Sequence, residues 1–519
     1  MNLNYINKKN LIPYTFITIS NISWFTFGLG KAETRLLKID QKIMLLTSSK
    51  MHYFDINTFE AAWNHHTPPI IYMFKLAFLF SEFINIDFGF YIVYSFLLLL
   101  INLFLFRIVY IFTKNTTISV LLSSAYIFDL SSSSLGASSL IFDNRTIGMF
   151  FQCLIILFSY RLLLNQTITN TIFLGTAIFF QVLFIESYLI SCGLLFLYLF
   201  KNLHNKLQFF KYIFYTNISL LLIVSLFFWQ RSELIDMFYL NYVFHYDAIG
   251  IGSNIKIRLS ELSKFGLFYH GLHNRISHAT TFVFIILFLL LKNKMNISKE
   301  SIQLYTVVIV LFFSEIIHLF LTGPRFTNYL QVVLIPQYLI IFVFIFFIFK
   351  FSNLNILISN FVISSLLLIM FFVFQFGDVV YYRTSLLDQS YLNALEPVSQ
   401  DSKISSFLFN PGEPELILSW ISHESWDDVY FKANNLPSTR MWWWFEMKFV
   451  ENFYEWNPER YYSMNLDQLF FEDLKKENPK YAIIENNYNE PPIFFLKHVN
   501  ENYIFYGTIE KFDVYKLKN

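Results

Sequence analysis

The chain has 519 residues, of which 55% are hydrophobic, 20% aromatic and only 14% charged, against roughly 25% charged in a soluble globular protein. Its formal net charge is +1 and its mean hydropathy is +0.46. These values exclude a soluble globular class and argue against a nucleic-acid binder, which needs a basic excess, and they point to a polytopic α-helical membrane protein.

Residues 11–29 follow Lys8 and Lys9 and are apolar over a spanning length. Without a small-x-small exit they read as a first transmembrane helix and not as a cleaved signal. The next polar loop holds "GKAETRLLKIDQK", with carboxylates at Glu33 and Asp40, and ends in "NHHTPPIIYMF" at 64–74. A carboxylate at a membrane surface can take a proton from an attacking hydroxyl, and it can equally be one charge of a solvated loop. His65 and His66 can donate charge-assisted hydrogen bonds to a phosphate. Pro68 and Pro69 suit the first turn of a helix. Residues 68–81 are too short to span and predict an interfacial helix inside an external loop 30–87.

Further spans are expected near 88–112, 116–134, 146–164, 209–229, 278–292, 301–321, 327–349 and 352–376. The stretch 171–200 is too long for one crossing of about 20 residues and predicts two short helices. Lys8, Lys9, Arg107, Lys114, Arg161, Lys201, Lys206, Lys211, Lys292, Lys294, Lys299 and Lys350 fall at span ends. Placed on the cytoplasmic side, they give about eleven transmembrane helices, an internal N-terminus and an external C-terminus. The loop 30–67, the turn 129–145, the loop 230–277 and the turn 322–326 then share the outer face, where a common site is expected.

Within that set, "LIFDNRTIGMFF" puts Asp143 and Arg145 at the outer end of a span, as a helix cap or as a second acid facing the first loop. "TGPRFTNYLQVVLIP" sets Arg325 after a Gly-Pro break, with Tyr329 one turn on. Such an arginine can snorkel, but its fork and its isolation from other cations favour an anion. Glu186 interrupts an apolar run, and Glu315 and His318 lie one turn apart and can pair. Trp442, Trp443 and Trp444 suit either a sugar face or a bilayer anchor. Cys153 and Cys192 lie in apolar runs, which argues against a disulfide. From 378 the chain turns polar. "LDQLFFEDLKKENPKYAIIE" reads as an amphipathic helix, a turn and a buried strand, and "NYIFYGTIEKFDVYKL" as strands around a glycine turn. Residues 378–519 are therefore expected to form an external soluble α/β domain behind a transmembrane domain at 1–377.

In this order the pieces resemble the GT-C glycosyltransferases, the polyprenyl-phosphate-sugar-dependent group that includes protein mannosyltransferases and the aminoarabinose transferases of lipid A. "AETR" at 32–35 looks like the acidic start of that family's first loop, and "YFD" at 53–55 with "HHTPPIIYMF" looks like the rest of it. "GPRFTNYLQVVLIP" looks like its Arg-x-x-His-Tyr element, and the resemblance covers about 11–350. Three positions depart. Ala32 stands where the family has a leading Asp, so Glu33 or Asp40 must serve; Asn328 replaces the usual His; and Thr67 stands where some members carry a phosphate-binding Lys, leaving His66 as its substitute.

The resemblance implies an inverting transfer of a sugar from a polyprenyl-phosphate donor to a hydroxyl of a lipid, glycan or protein acceptor. The reaction would lie on the periplasmic face of a bacterial inner or plasma membrane. It implies Glu33, Asp40 and Asp143 as catalytic acids, and His65, His66, Arg325 and Tyr329 as the residues holding the donor phosphate. The leaving phosphate already carries its charge, so no nucleotide site is needed. No cofactor is implied, with a divalent cation left open, and the partners are the donor, the acceptor and membrane lipids. Two other classes share such spans. A flippase for lipid-linked sugars should show matched halves with intramembrane charges, and neither is evident. A polysaccharide polymerase or ligase should carry its large polar loop late in the membrane domain, whereas here the richest loop is the first.

Overall fold

The computed structural model describes residues 13–19, 22, 39–62, 68–76, 78, 86–130, 144–184, 188–231, 233–234, 271–293, 297–322, 331–351, 402–439, 466–476, 479–486, 488 and 490–518. The chain divides into two compact units. One comprises Met1–Lys31, Tyr91–Phe227 and Gly250–Tyr391, and the other Ala32–Phe90, Phe228–Ile249 and Leu392–Asn519. In chain order the helices are α1 (Ile39–Tyr53), α2 (Thr58–Ala61), α3 (Pro68–Lys75), α4 (Ile86–Thr113), α5 (Thr116–Leu130), α6 (Asn144–Leu164), α7 (Ile168–Phe184), α8 (Tyr188–Asn202), α9 (Lys206–Gln230), α10 (Gly271–Leu291), α11 (Lys299–Thr322) and α12 (Gln331–Phe351). Then follow α13 (Lys403–Leu408), β1 (Glu415–Trp420), β2 (Asn435–Pro437), α14 (Leu466–Lys476), β3 (Tyr481–Glu485), α15 (Ile493–Asn502), β4 (Tyr503–Ile509) and β5 (Phe512–Leu517).

The first unit is helical. Four helices among the described residues are long and apolar enough to cross a membrane: Ile92–Thr113, Thr146–Leu164, Lys206–Gln230 and Lys299–Ile317. Shorter apolar helices run over Ile168–Phe184, Tyr188–Asn202, Thr280–Leu291 and Ile335–Ile348. The expected division of 171–200 is present as α7 and α8, and α10 starts at Gly271, inside what the sequence suggested was loop. The expected span 352–376 lies outside the described residues. Helix α9 leaves Leu221, Leu222, Ile223 and Leu226 uncovered by protein, as a lipid-facing helix does. Where α7 meets α9, a Cβ on Gly175 would stand 3.3 Å from the Thr216 side chain, a tight contact that glycine avoids.

The short turns of this unit gather basic residues. Gln166, in the α6–α7 turn, and Asn205, in the α8–α9 turn, exchange hydrogen bonds of 2.6 and 3.0 Å. Arg161, Lys201 and Lys206 flank these turns. Asn115, between α4 and α5, opens α5 by accepting the Ile118 N–H at 3.1 Å. Inside the bundle, Gln152 on α6 donates to Glu315 Oε1 on α11 at 3.1 Å, and Cys192 on α8 donates to Gln181 Oε1 on α7 at 3.5 Å. Glu315 is thus bonded to another helix, and the expected pairing with His318 lies outside the described side chains. Both cysteines are free and buried.

The second unit is built on a five-stranded mixed sheet of order β2-β1-β3-β5-β4. Strand β1 runs parallel to β2 and β3, and β5 runs antiparallel to β3 and β4. The amphipathic helix and the following strand expected from the sequence are α14 and β3. The hairpin differs in one respect: its turn is at Glu510 and Lys511, with Glu510 at φ 56°, and Gly507 lies within β4 at a shift in register. A glycine at φ 153° absorbs the local irregularity of an edge strand and leaves the turn to a polar pair. The same unit contains α1, α2 and α3. Ile43 and Leu46 of α1 and Ala62 beyond α2 belong to the buried apolar cluster that holds Ile417, Trp420 and Val429.

Candidate active site

Glu33, His65, His66, Asp143, Arg325 and Tyr329 lie outside the described residues, as do Glu186, Trp442, Trp443 and Trp444. Asp40 is the second residue of α1, with its side chain outside the described set. The mutual arrangement of these side chains therefore falls outside the described residues. What the structure fixes are the elements to which the first-loop residues are attached.

Helix α1 ends at Tyr53, and Asp55 at φ 47° turns the chain toward α2. Asp tolerates that left-handed conformation better than most residues. Asn57 caps α2, accepting the Glu60 N–H at 2.8 Å while Glu60 reaches back to the Asn57 N–H at 3.3 Å. This capping box fixes where the short helix starts. Helix α3 starts on Pro68, as the proline pair predicts, and ends at Lys75, short of the expected 81. Pro68, Pro69, Ile70, Ile71 and Phe74 are buried. Helix α3 packs on α1, so the covered side of the predicted interfacial helix is partly a protein surface.

One carboxylate joins these pieces. Glu233, just past α9, is fully buried, and its Oε1 accepts the Thr58 N–H at 2.7 Å. That amide is one of those a helix N-terminus leaves without an internal partner. The Tyr72 hydroxyl donates to the same carboxylate, 3.1 Å from each oxygen. Burial, and then the charge of Glu233, push the Tyr72 hydroxyl well up, so it keeps its proton and stays a donor. Arg231 Nε is 3.9 Å from Glu233 Oε1, and its guanidinium stands 5.5 Å from the Tyr72 ring centroid. Thr58 and Tyr72 flank residues 63–67, so the two elements on either side of the histidine pair are held by one group. A carboxylate with its oxygens occupied by these donors serves as a structural support.

Two further basic groups lie on α1 and α3. His52 stacks on Phe78 at 4.8 Å, and burial, then the charge of Lys75, lower its pKa. It is therefore neutral at pH 7. Lys75 donates to the Met51 carbonyl at 3.5 Å, in the last turn of α3, where a cation is favoured by the helix dipole. Among the described residues no group of three or more His, Cys, Asp or Glu could hold a metal ion. Sequence reasoning treated 230–277 as a polar loop and singled out neither Arg231 nor Glu233. The available signal was "WQRSEL" at 229–234, an ion pair at the first positions past an apolar run.

No family profile and no curated protein matches the chain. Among solved structures it is similar to ArnT from Cupriavidus metallidurans bound to undecaprenyl phosphate, with a TM-score of 0.53 at 10% identity, over 98% of this chain and 98% of that one. It also matches the Archaeoglobus fulgidus oligosaccharyltransferase tethered to an acceptor peptide containing the NVT sequon, at 13% identity over 93% of this chain and 70% of that one, with a TM-score of 0.41. The first likeness shows that this chain shares the fold of that ArnT structure.

Proposed function

We propose that the protein is a polytopic membrane glycosyltransferase that moves a sugar from a polyprenyl-phosphate donor to a hydroxyl of a lipid, glycan or protein acceptor, with inversion. The observation that carries this reading is the whole-length likeness in fold to an ArnT bound to undecaprenyl phosphate, in a chain that has the acidic loop, the His-His-Thr-Pro-Pro turn and the Gly-Pro-Arg-Phe element in the order of that group. Glu33 or Asp40 takes the acceptor proton as the anomeric carbon is attacked, with Asp143 as a second acid facing them. His65, His66, Arg325 and Tyr329 hold the donor phosphate and stabilise it as the glycosidic bond breaks. The orientation follows the basic turns: about eleven spans, with 378–519 and the first loop outside the plasma membrane.

The test uses purified protein in lipid nanodiscs and a panel of undecaprenyl-phosphate-linked hexoses and pentoses, scoring release of undecaprenyl phosphate and a labelled acceptor. Sugar transfer from at least one donor is expected. Donor binding with movement across the bilayer and no bond cleavage would instead make the protein a flippase. The same assay with and without EDTA decides whether a divalent cation assists the leaving phosphate.

A further inference from the structure

We propose that the sheet domain carrying β1 to β5 is a positioning part of the transfer machinery, holding α1 in its working pose through the Lys42–Asp427 pair. Lys42 Nζ lies 2.7 Å from Asp427 Oδ2, with side-chain exposures of 4% and 14%, across 385 residues of sequence. Eight residues further along α1, a rise of about 12 Å, Lys50 Nζ donates to the carbonyls of Ser438 and Thr439 at 3.5 and 3.4 Å. Ile43 and Leu46 lie between these two points and belong to the same buried cluster as Ile417, Trp420 and Val429.

Apolar packing alone would hold α1 against the sheet domain, because such contacts are non-directional and tolerate small rotations and slides. A buried ammonium–carboxylate pair is different. It adds little stability over a well-packed apolar pair, but its bonding geometry is directional, and breaking it strands a buried charge. Two lysines separated along one helix, each bonded to the sheet domain, fix both its rotation and its position along the axis. Asp40 is two residues before Lys42 on that helix, and Glu33 precedes it in the same loop. The inference rests on the glycosyl-transfer reading, in which the proton-accepting acid comes from Glu33 or Asp40. A misplacement of about 1 Å at a reacting group can cost on the order of 100-fold in rate.

The test compares wild type with Asp427→Asn, Asp427→Glu and Lys42→Met in the full-length protein in nanodiscs. Turnover with the undecaprenyl-phosphate sugar accepted by wild type is measured beside hydrogen exchange over residues 39–62. Asp427→Asn should lower kcat about 10- to 100-fold, change the donor KM little, and raise exchange in α1 while leaving α6 and α11 as in wild type. Asp427→Glu should recover part of kcat. If the single variants do not fold, the joint change Lys42→Met with Asp427→Leu keeps packing without charge, and the same kcat loss is expected. Unchanged exchange in α1, or raised exchange with unchanged kcat, would overturn the proposal. A wild type that transfers no sugar would sink the functional reading; the docking of α1 would then stand or fall on the exchange result alone.

Discussion

Glu233 and Thr58 stand 175 residues apart in sequence, and the buried Glu233 carboxylate accepts the Thr58 N–H at 2.7 Å. Tyr72 donates to the same group from the next helix, so a residue at the end of an apolar span organises both flanks of the histidine pair. Glu233→Ala removes an acceptor these donors share, at a cost of about 1–3 kcal/mol per group left without it. Glu233→Gln and Tyr72→Phe should each cost less than the alanine change. Thermal unfolding and turnover should fall together for Glu233→Ala, and an alanine variant with wild-type turnover would show that the flanks need no such support.

The phosphate-binding assignment predicts that Arg325→Ala raises the donor KM and lowers kcat. Phosphate charge is bound in the ground state and grows as the glycosidic bond breaks, so both states lose a contact. A charge-assisted hydrogen bond contributes about 1.5–3 kcal/mol, or roughly one to two decades. Arg325→Lys should recover only part, since a point charge replaces a planar fork. His66→Ala should weaken turnover less, and most at low pH, where the imidazole is protonated. Steady-state kinetics against donor concentration checks this, and an Arg325→Ala enzyme with wild-type constants would leave the arginine a snorkelling anchor.

The proton acceptor is decided by two isosteric changes. Glu33→Gln and Asp40→Asn keep size and remove basicity, and loss of the true base should cost about 10²–10⁴-fold in kcat. One of the two is expected to lose that much. If both stay within a few-fold of wild type, the base lies outside the first loop, and Asp143 becomes the next candidate.

Orientation is checked by reporters. A fusion after Asp378 should be external, and one at Lys294 cytoplasmic. Finding both on one side would break the scheme of about eleven spans and scatter the proposed site.

Legibility in the sequence followed the physics of each segment. Long apolar runs announced α4, α6, α9 and α11 because a lipid-facing helix needs little beyond length and hydropathy. Helix α1 was hidden because its residues from Lys42 to Met51 are buried all round, between α3 and the sheet domain. A helix enclosed on every side shows no one-sided apolar stripe, and "KIMLLTSSKM" mixes lysines and serines whose partners lie hundreds of residues away. The Pro-Pro start of α3 was readable because proline acts through its own backbone. The role of Glu233 was not, because it depends on two donors that no local pattern places beside it. For the motif residues themselves, order along the chain carried the resemblance, while their mutual geometry falls outside the described residues.

The sheet domain should lose stability in acid in two separate windows, each assignable to one residue. Glu485, at the end of β3, accepts the Ser422 N–H at 2.7 Å and the Ser425 hydroxyl at 2.9 Å, and pairs with Lys511 at 2.7 Å. Burial opposes its ionisation, but Lys511 and the two serines outweigh that and hold its carboxyl below the ordinary 4.5. A lowered carboxylate stabilises the fold above its ordinary pKa, and that contribution fades as pH falls from about 4.5 through the lower folded value. His498 is buried with Nε2 unpartnered, and burial lowers its pKa from 6.5. Below 6.5 the unfolded chain takes up a proton that the folded one refuses, so stability starts to fall there, before Glu485 titrates. Hydrogen-exchange protection of β1 and β3, corrected for intrinsic rates, should therefore drop first below pH 6.5 and again below 4.5. His498→Gln should remove the first drop. Glu485→Gln should weaken protection at neutral pH by about 1.5–3 kcal/mol, discounted for the half-exposed Lys511, and should flatten the second. An unchanged profile below pH 4.5 in Glu485→Gln would assign the acid sensitivity to other carboxylates of the domain.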